Sequence, residues 1–163
     1  MIEHNIYDPV VETRPVEDQF ALDRESYREH VKYLFAHSEF YQRKFAEAGF
    51  HTPEQVGELD DIAALPFTEK DEIRRSQADY PPFGNHVAAP ADSLRRVFST
   101  SGPTGVPCYL GLTESDLDMY ATNVARGYTA AGFKPGQRLV VGFNAGPFVA
   151  GAVYYGFDKI GAN

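Results

Sequence analysis

Tyr27, Val31, Leu34 and Phe35 recur at three- and four-residue intervals within an otherwise charged stretch, which predicts a helix capped by Asp23 and running to about His37. Ser38 is placed to cap a second helix, in which Tyr41, Phe45 and Ala48 align and Gly49 supplies the stop, so the two form a helical hairpin. Residues 1–20 show no sustained period and contain Pro9 and Pro15, and they are expected to form an extended arm lying on another surface or disordered. Thr52-Pro53-Glu54-Gln55 reads as a capping box with proline at the first helical position. Thr68 is expected to cap a further short helix to about Arg75, and Tyr80-Pro81-Pro82-Phe83-Gly84 to close the segment as a turn.

From Leu94 the texture changes. Leu94 to Phe98 and Cys108 to Leu112 are short apolar runs, predicted as an antiparallel pair with an unusually long connection. Thr113 with Asp116 should cap a long helix whose buried stripe is Leu117, Tyr120, Ala121, Val124, Tyr128 and Ala131, with Gly132 ending it. Lys134-Pro135-Gly136 is a turn, Arg138 to Phe143 a predicted buried strand, and Phe148 to Ile160 a largely apolar helix. The expected architecture is therefore an arm over residues 1–20, a helical lead over 21–90 and the opening of an α/β sheet covered by helices over 91–163. On this reading the sheet is incomplete at residue 163.

At 163 residues and 43% hydrophobic side chains, the chain can bury a core of one domain plus an appendage. Its net charge of -8 argues against a nucleic-acid partner, and the charge is unevenly placed: residues 1–93 carry -10 and residues 94–163 carry +2. The single cysteine, Cys108, excludes an internal disulfide framework, and the opening residues lack the basic flank and apolar core of an export signal, so a cytoplasmic location is expected. No uninterrupted apolar run is long enough to suggest a membrane span. The apolar helix after Phe148, with the strand before it, would leave a face uncovered, and pairing with a second copy or with further chain is expected.

The connection between the two predicted strands is the candidate site. In Ser99-Thr100-Ser101-Gly102-Pro103-Thr104-Gly105-Val106-Pro107 the glycines let successive N–H groups converge, and the hydroxyls of Ser99, Thr100, Ser101 and Thr104 add donors. Phosphate is the natural guest of such a loop, and a plain Ser/Thr-rich hairpin turn fits its composition equally well. A Walker A loop is excluded, because Gly102 and Gly105 are three apart and Val106 follows where that motif needs a lysine.

The loop resembles the phosphate loop of the adenylate-forming enzymes, the AMP-binding and acyl-CoA synthetase superfamily, whose pattern runs Ser/Thr-Ser-Gly-Thr-Thr-Gly-Lys-Pro. Six of eight positions match from Thr100 to Pro107; Pro103 stands for a Thr and Val106 for the Lys, removing a hydroxyl and a cation. Phe40-Tyr41-Gln42-Arg43-Lys44-Phe45 and Leu65-Pro66-Phe67-Thr68-Glu69-Lys70 are similar to segments at the start of the phenylacetate-CoA ligase branch, so the chain resembles the amino-terminal portion of that branch. The resemblance implies an AMP-forming ligase that activates an aromatic or similar carboxylic acid with ATP as its acyl-adenylate and transfers it to coenzyme A. It implies that Thr100, Ser101, Gly102, Thr104 and Gly105 hold the β- and γ-phosphates, and that Phe143 and Phe148 line the aryl-acid pocket. The family's Mg²⁺-binding Glu, ribose-binding Asp and catalytic Lys are expected beyond residue 163, and the chain alone is expected to be inactive. For Phe143 and Phe148, ordinary core packing is an equal alternative. A second functional reading is a non-catalytic relative that binds a nucleotide or acyl ligand or serves as an interaction module. Pro103 and Val106 favour it; the retained glycines and Pro107 oppose it.

Other chemistry-bearing residues have simpler roles. His30 and His37 lie seven apart with no ligand partner at metal spacing, and no metal site is expected. Asp116 and Asp118 fall where carboxylates offset a helix dipole, Asp60-Asp61 and Arg95-Arg96 read as exposed charges, and Cys108 as a buried structural thiol.

Overall fold

The computed structural model describes residues 5–100, 107–142 and 149–162. Pro15–Pro90 form one compact unit; the described residues up to Arg14 and from Ala91 onward form another.

The stretch expected as an extended arm is largely helical. In α1 (Pro9–Glu12), Asp8 accepts hydrogen bonds from the Val10 and Val11 amides through its side chain, and the Glu12 carboxylate accepts from the Asp8 amide at 2.8 Å. These reciprocal bonds, with Pro9 preset for the first turn, satisfy the exposed donors of a helix start. Helix α2 (Val16–His37) begins seven residues before the expected cap. Pro15 precedes it with φ −55° and ψ 143°, and Asp23, far from capping, sits inside and accepts from the Gln19 side-chain amide at 2.7 Å. The absence of an apolar stripe in its first two turns hid them from periodicity.

The helical unit is held by one apolar seam and one polar knot. Phe35 of α2 stacks on Phe45 of α3 (Glu39–Glu47), with ring centroids 5.3 Å apart, and Phe40, Phe45 and Val31 are buried. Gly49, at φ +91°, ends α3 in a conformation that a side chain would resist. Two 3₁₀ turns follow, Pro53–Val56 and Leu59–Ala64. Arg24–Asp60 and Arg28–Glu58 ion pairs tie the second turn and its flank to α2; both are exposed and contribute little. Helix α4 (Lys70–Asp79) is preceded by Glu69 rather than Thr68, because Glu72 folds back to accept the Glu69 amide at 2.7 Å. It also continues four residues beyond the expected end.

The knot joins α3, α4 and the turn after Gly84. Ser38 is wholly buried; its hydroxyl accepts from the Tyr41 amide and lies 3.3 Å and 3.4 Å from the Asn85 and His86 carbonyls. Ser76 donates to Asn85 Oδ1 at 2.9 Å and accepts from the His86 amide, with His86 Nδ1 at 3.0 Å. Buried polar groups matched in this way avoid the 1–3 kcal/mol or so that each orphan would cost.

In the other unit, β1 (Leu94–Ser99) and β2 (Tyr109–Thr113) pair antiparallel as expected, with Phe98 opposite Leu110 and Ser99 opposite Tyr109. Helix α5 (Glu114–Ala130) begins in the expected capping box: Thr113 Oγ1 accepts from the Asp116 amide, and Asp116 Oδ2 accepts from the Thr113 amide at 2.9 Å. Phe98 and Leu112, from the inner face of the hairpin, pack with Ala152, Leu117, Tyr120 and Tyr155. A second cluster joins Ala125 of α5 to Phe157 and Ile160 of α6 (Val153–Ile160), with Tyr7, Leu139 and Val141 against it. A 3₁₀ turn, Val149–Ala152, precedes α6.

The strand expected over Arg138 to Phe143 does not form over its described residues: 138–142 join no sheet. They keep the alternation of a strand, with Leu139 and Val141 turned to the core and Val140 98% exposed, but among the described residues the only ladder is that of β1 with β2. Alternating burial is enough to produce the sequence signal, whereas a strand also needs a neighbour.

Helices α5 and α6 meet at Gly156, where an added Cβ would collide with the Val124 side chain and lie 3.1 Å from the Ala121 carbonyl oxygen. Gly156→Ala should force the helices apart and cost about 1–3 kcal/mol, read as a lower urea midpoint. The helical unit should be acid-sensitive. Burial holds the His86 imidazole below its ordinary 6.5, so the unfolded chain binds the extra proton first. Stability should therefore fall as pH drops below about 6.5 and level once folded His86 also protonates, and His86→Gln should flatten that part of the urea-midpoint profile.

Candidate functional site

The candidate loop is anchored at a neck that the sequence makes on both sides. Beyond the last ladder pair, Ser99 with Tyr109, the Thr100 amide donates to the Cys108 carbonyl at 2.9 Å and the Cys108 amide donates to Thr100 Oγ1 at 3.1 Å. Thr100 therefore spends a hydroxyl lone pair on closing the neck while its own hydrogen remains available to donate. Cys108 is buried and its thiol free, as a structural cysteine should be. The strands thus bring the ends of the loop together and fix its entry and exit, leaving seven residues, Ser101 to Pro107, to turn between them.

Of the residues expected to bind phosphate, Thr100 is the one in described structure. Ser101, Gly102, Thr104 and Gly105 lie outside the described residues, as do Phe143 and Phe148 of the expected acid pocket. Among the described residues no group of three or more His, Cys, Asp or Glu side chains could hold a metal ion.

The remaining candidates have structural partners. Arg96 donates to the Tyr155 hydroxyl at 2.7 Å and to the Arg95 carbonyl at 2.8 Å, strapping β1 to α6, and Arg95 pairs with Glu114 at 3.3 Å in the open. Asp116 closes the capping box of α5 on Thr113, and Asp118 pairs with Lys159 of α6 at 2.7 Å. Asp60 pairs with Arg24, Asp61 accepts from the Glu58 amide, and the His37 ring lies 4.5 Å from that of Tyr33.

One feature escaped the sequence altogether. A cleft of about 230 Å³ opens between α3 and α4 in the helical unit, where Lys44 and Glu72 form an ion pair at 2.5 Å. Glu72 is held below the usual carboxylate range by its bonds from the Glu69 amide and then from Lys44. Partners 28 residues apart on two helices leave no local pattern to read.

No family model matches the chain. It is 37% identical over 151 residues to the phenylacetate-coenzyme A ligase of Thermus thermophilus, covering 93% of this chain and 33% of that protein. To the enzyme of the same name from Escherichia coli it is 34% identical, over 99% of this chain and 36% of the relative. The chain thus spans about a third of the length of the curated relatives it matches. Among solved structures, an open conformation of 2-hydroxyisobutyryl-CoA ligase, in complex with 2-HIB-AMP and CoA, superposes with a TM-score of 0.84 at 28% identity. That match covers 99% of this chain and 37% of the other.

The fold over this span is that of the adenylate-forming CoA ligases, with mostly helical elements and one two-stranded antiparallel sheet among the described residues. Within that class, the chain matches the phenylacetate-CoA ligase branch over 93–99% of its own length.

The neck makes a direct prediction. Thr100→Val removes the acceptor of the Cys108 amide and should speed its hydrogen exchange by about tenfold, the equivalent of one hydrogen bond, while Thr100→Ser should preserve protection. Equal protection in both variants would show that the hydroxyl does not hold the neck.

Proposed function

We propose that this chain supplies the phosphate-contacting wall of an AMP-forming carboxylate-CoA ligase acting on an aromatic or similar acid. The observation that carries the reading is the closed Thr100–Cys108 neck beneath a loop that keeps six of the superfamily's eight phosphate-loop positions. In this reading Thr100, Ser101, Gly102, Thr104 and Gly105 donate to the β- and γ-phosphates of ATP. A substrate carboxylate oxygen attacks the α-phosphorus and pyrophosphate departs; the thiol of coenzyme A then attacks the acyl carbon and AMP departs. Donors fixed around the leaving pyrophosphate favour the charge that develops there without reorganising. Phe143 and Phe148 are assigned to the acid pocket, which suits an aryl group by stacking and burial. Mg²⁺ would supply charge neutralisation at the phosphates, through ligands outside the described residues.

The relatives support the ligase chemistry, and their length supports a division of labour in which these 163 residues do not act alone. Pro103 and Val106 support the other reading, a non-catalytic relative that binds a nucleotide or acyl ligand, because a hydroxyl and a cation of the family loop are replaced.

A chimera separates the two. This chain, substituted for its matching third of the Escherichia coli relative, should support ATP–pyrophosphate exchange that depends on an added aromatic acid, while the isolated chain should support none. Pro103→Thr with Val106→Lys in the chimera should tighten ATP by about tenfold or more, the worth of one charge-assisted contact. A folded chimera without acid-dependent exchange would favour the non-catalytic reading.

A further inference from the structure

The geometry points to a second anion site, in the cleft between α3 and α4, which takes the oxyanion group of a small molecule such as a carboxylate or a phosphate. None of its residues belongs to the loop between Thr100 and Cys108.

The floor of the cleft is rich in uncommitted donors. The Lys44 side chain is only 12% exposed and gives one N–H to Glu72; its ammonium also lies 5.9 Å from the centre of the Phe40 ring, and it has no other acceptor among the described residues. Both Glu72 oxygens are already occupied, one by Lys44 and the other by the Glu69 amide, and its negative charge is offset by Lys44 and by the nearby Arg75. Asn85 accepts from Ser76 through Oδ1, which orients its side-chain amide, and the Nδ2 group has no acceptor among the described residues.

The rim adds charge from both helices. Arg43 of α3 and Arg75 of α4 line the opening, and neither guanidinium has a hydrogen-bond or ion-pair partner among the described residues. Each has a carboxylate four residues on, Glu47 and Asp79, at a spacing that commonly closes into a helical ion pair, yet neither pair is closed. The two arginines are thereby available to converge on a guest. Glu47, Glu72 and Asp79 balance Arg43, Lys44 and Arg75, so the lining is near neutral and affinity for an anion is held to a modest level. A volume of about 230 Å³ accommodates a guest of that size.

The test uses the 163-residue chain, with acetate and inorganic phosphate titrated separately at low ionic strength while the Asn85 side-chain amide and the Lys44 Cε–H signals are followed by NMR. At least one anion should shift both signals saturably, and the stronger of the two identifies the head group. Arg43→Gln and Arg75→Gln remove exposed rim charges without touching the core, and each should weaken binding about three- to tenfold, whereas Arg28→Gln, outside the cleft lining, should not. Lys44→Met should abolish binding; if it fails to fold, the Arg43→Gln/Arg75→Gln double variant decides, with a loss of ten-fold or more expected. Absence of saturable shifts with both anions, or binding that the double variant leaves unchanged, overturns the assignment.

Discussion

A lone two-stranded hairpin is marginal in water, and the loop that carries the functional reading hangs from one. What makes β1 and β2 a platform is the face they lay on the helices behind them: Phe98 and Leu112 are buried with Leu117, Tyr120, Ala152 and Tyr155. The same register that turns those two side chains inward sets the Thr100–Cys108 bonds that close the neck. Burial behind the strands, the ladder and the loop's entry geometry are therefore one constraint. It rests in turn on α5 and α6 lying close together at Gly156, so that Leu117 and Tyr120 of one and Tyr155 of the other meet the same strand face.

The helical unit solves a different problem. Its seam of Phe35, Phe40, Phe45 and Val31 is small, and the turn at Asn85 and His86 is fixed by hydroxyls together with the edge contact of the His86 ring on Phe40. Ser38 and Ser76 are both buried and both matched, so each joins segments distant in sequence at a cost that their hydrogen bonds offset. The anchoring of Asn85 matters beyond stability, since the same residue faces the cleft between α3 and α4.

Local signals were legible where the physics is local. The Thr113–Asp116 capping box, the Gly49 stop, the hairpin of α2 and α3 and the antiparallel pairing of β1 with β2 all follow from neighbours within a few residues or from short apolar runs on either side of a loop. The start of α2 was not legible, because Val16 to Leu22 presents no apolar stripe and Asp23 has the chemistry of a cap without occupying that position. Thr68 misled in the same way: Glu69 and Glu72 bond reciprocally one residue later. At the candidate site, the motif identified Thr100, but the sharing of its hydroxyl with the Cys108 amide follows from strand register and is invisible in the loop's own composition. The Lys44–Glu72 pair depends on helix packing alone.

Residues 138–142 have the side-chain arrangement of a strand with none of its backbone bonds. Leu139 and Val141 are already committed inward and Val140 outward, so any strand that comes to lie alongside meets a phase fixed in advance. A slip of one residue would expose two apolar side chains and bury the flanking ones, Arg138 among them. The segment thus acts as a ruler: before any hydrogen bond is made, it sets the alignment in which a neighbouring strand can be accepted.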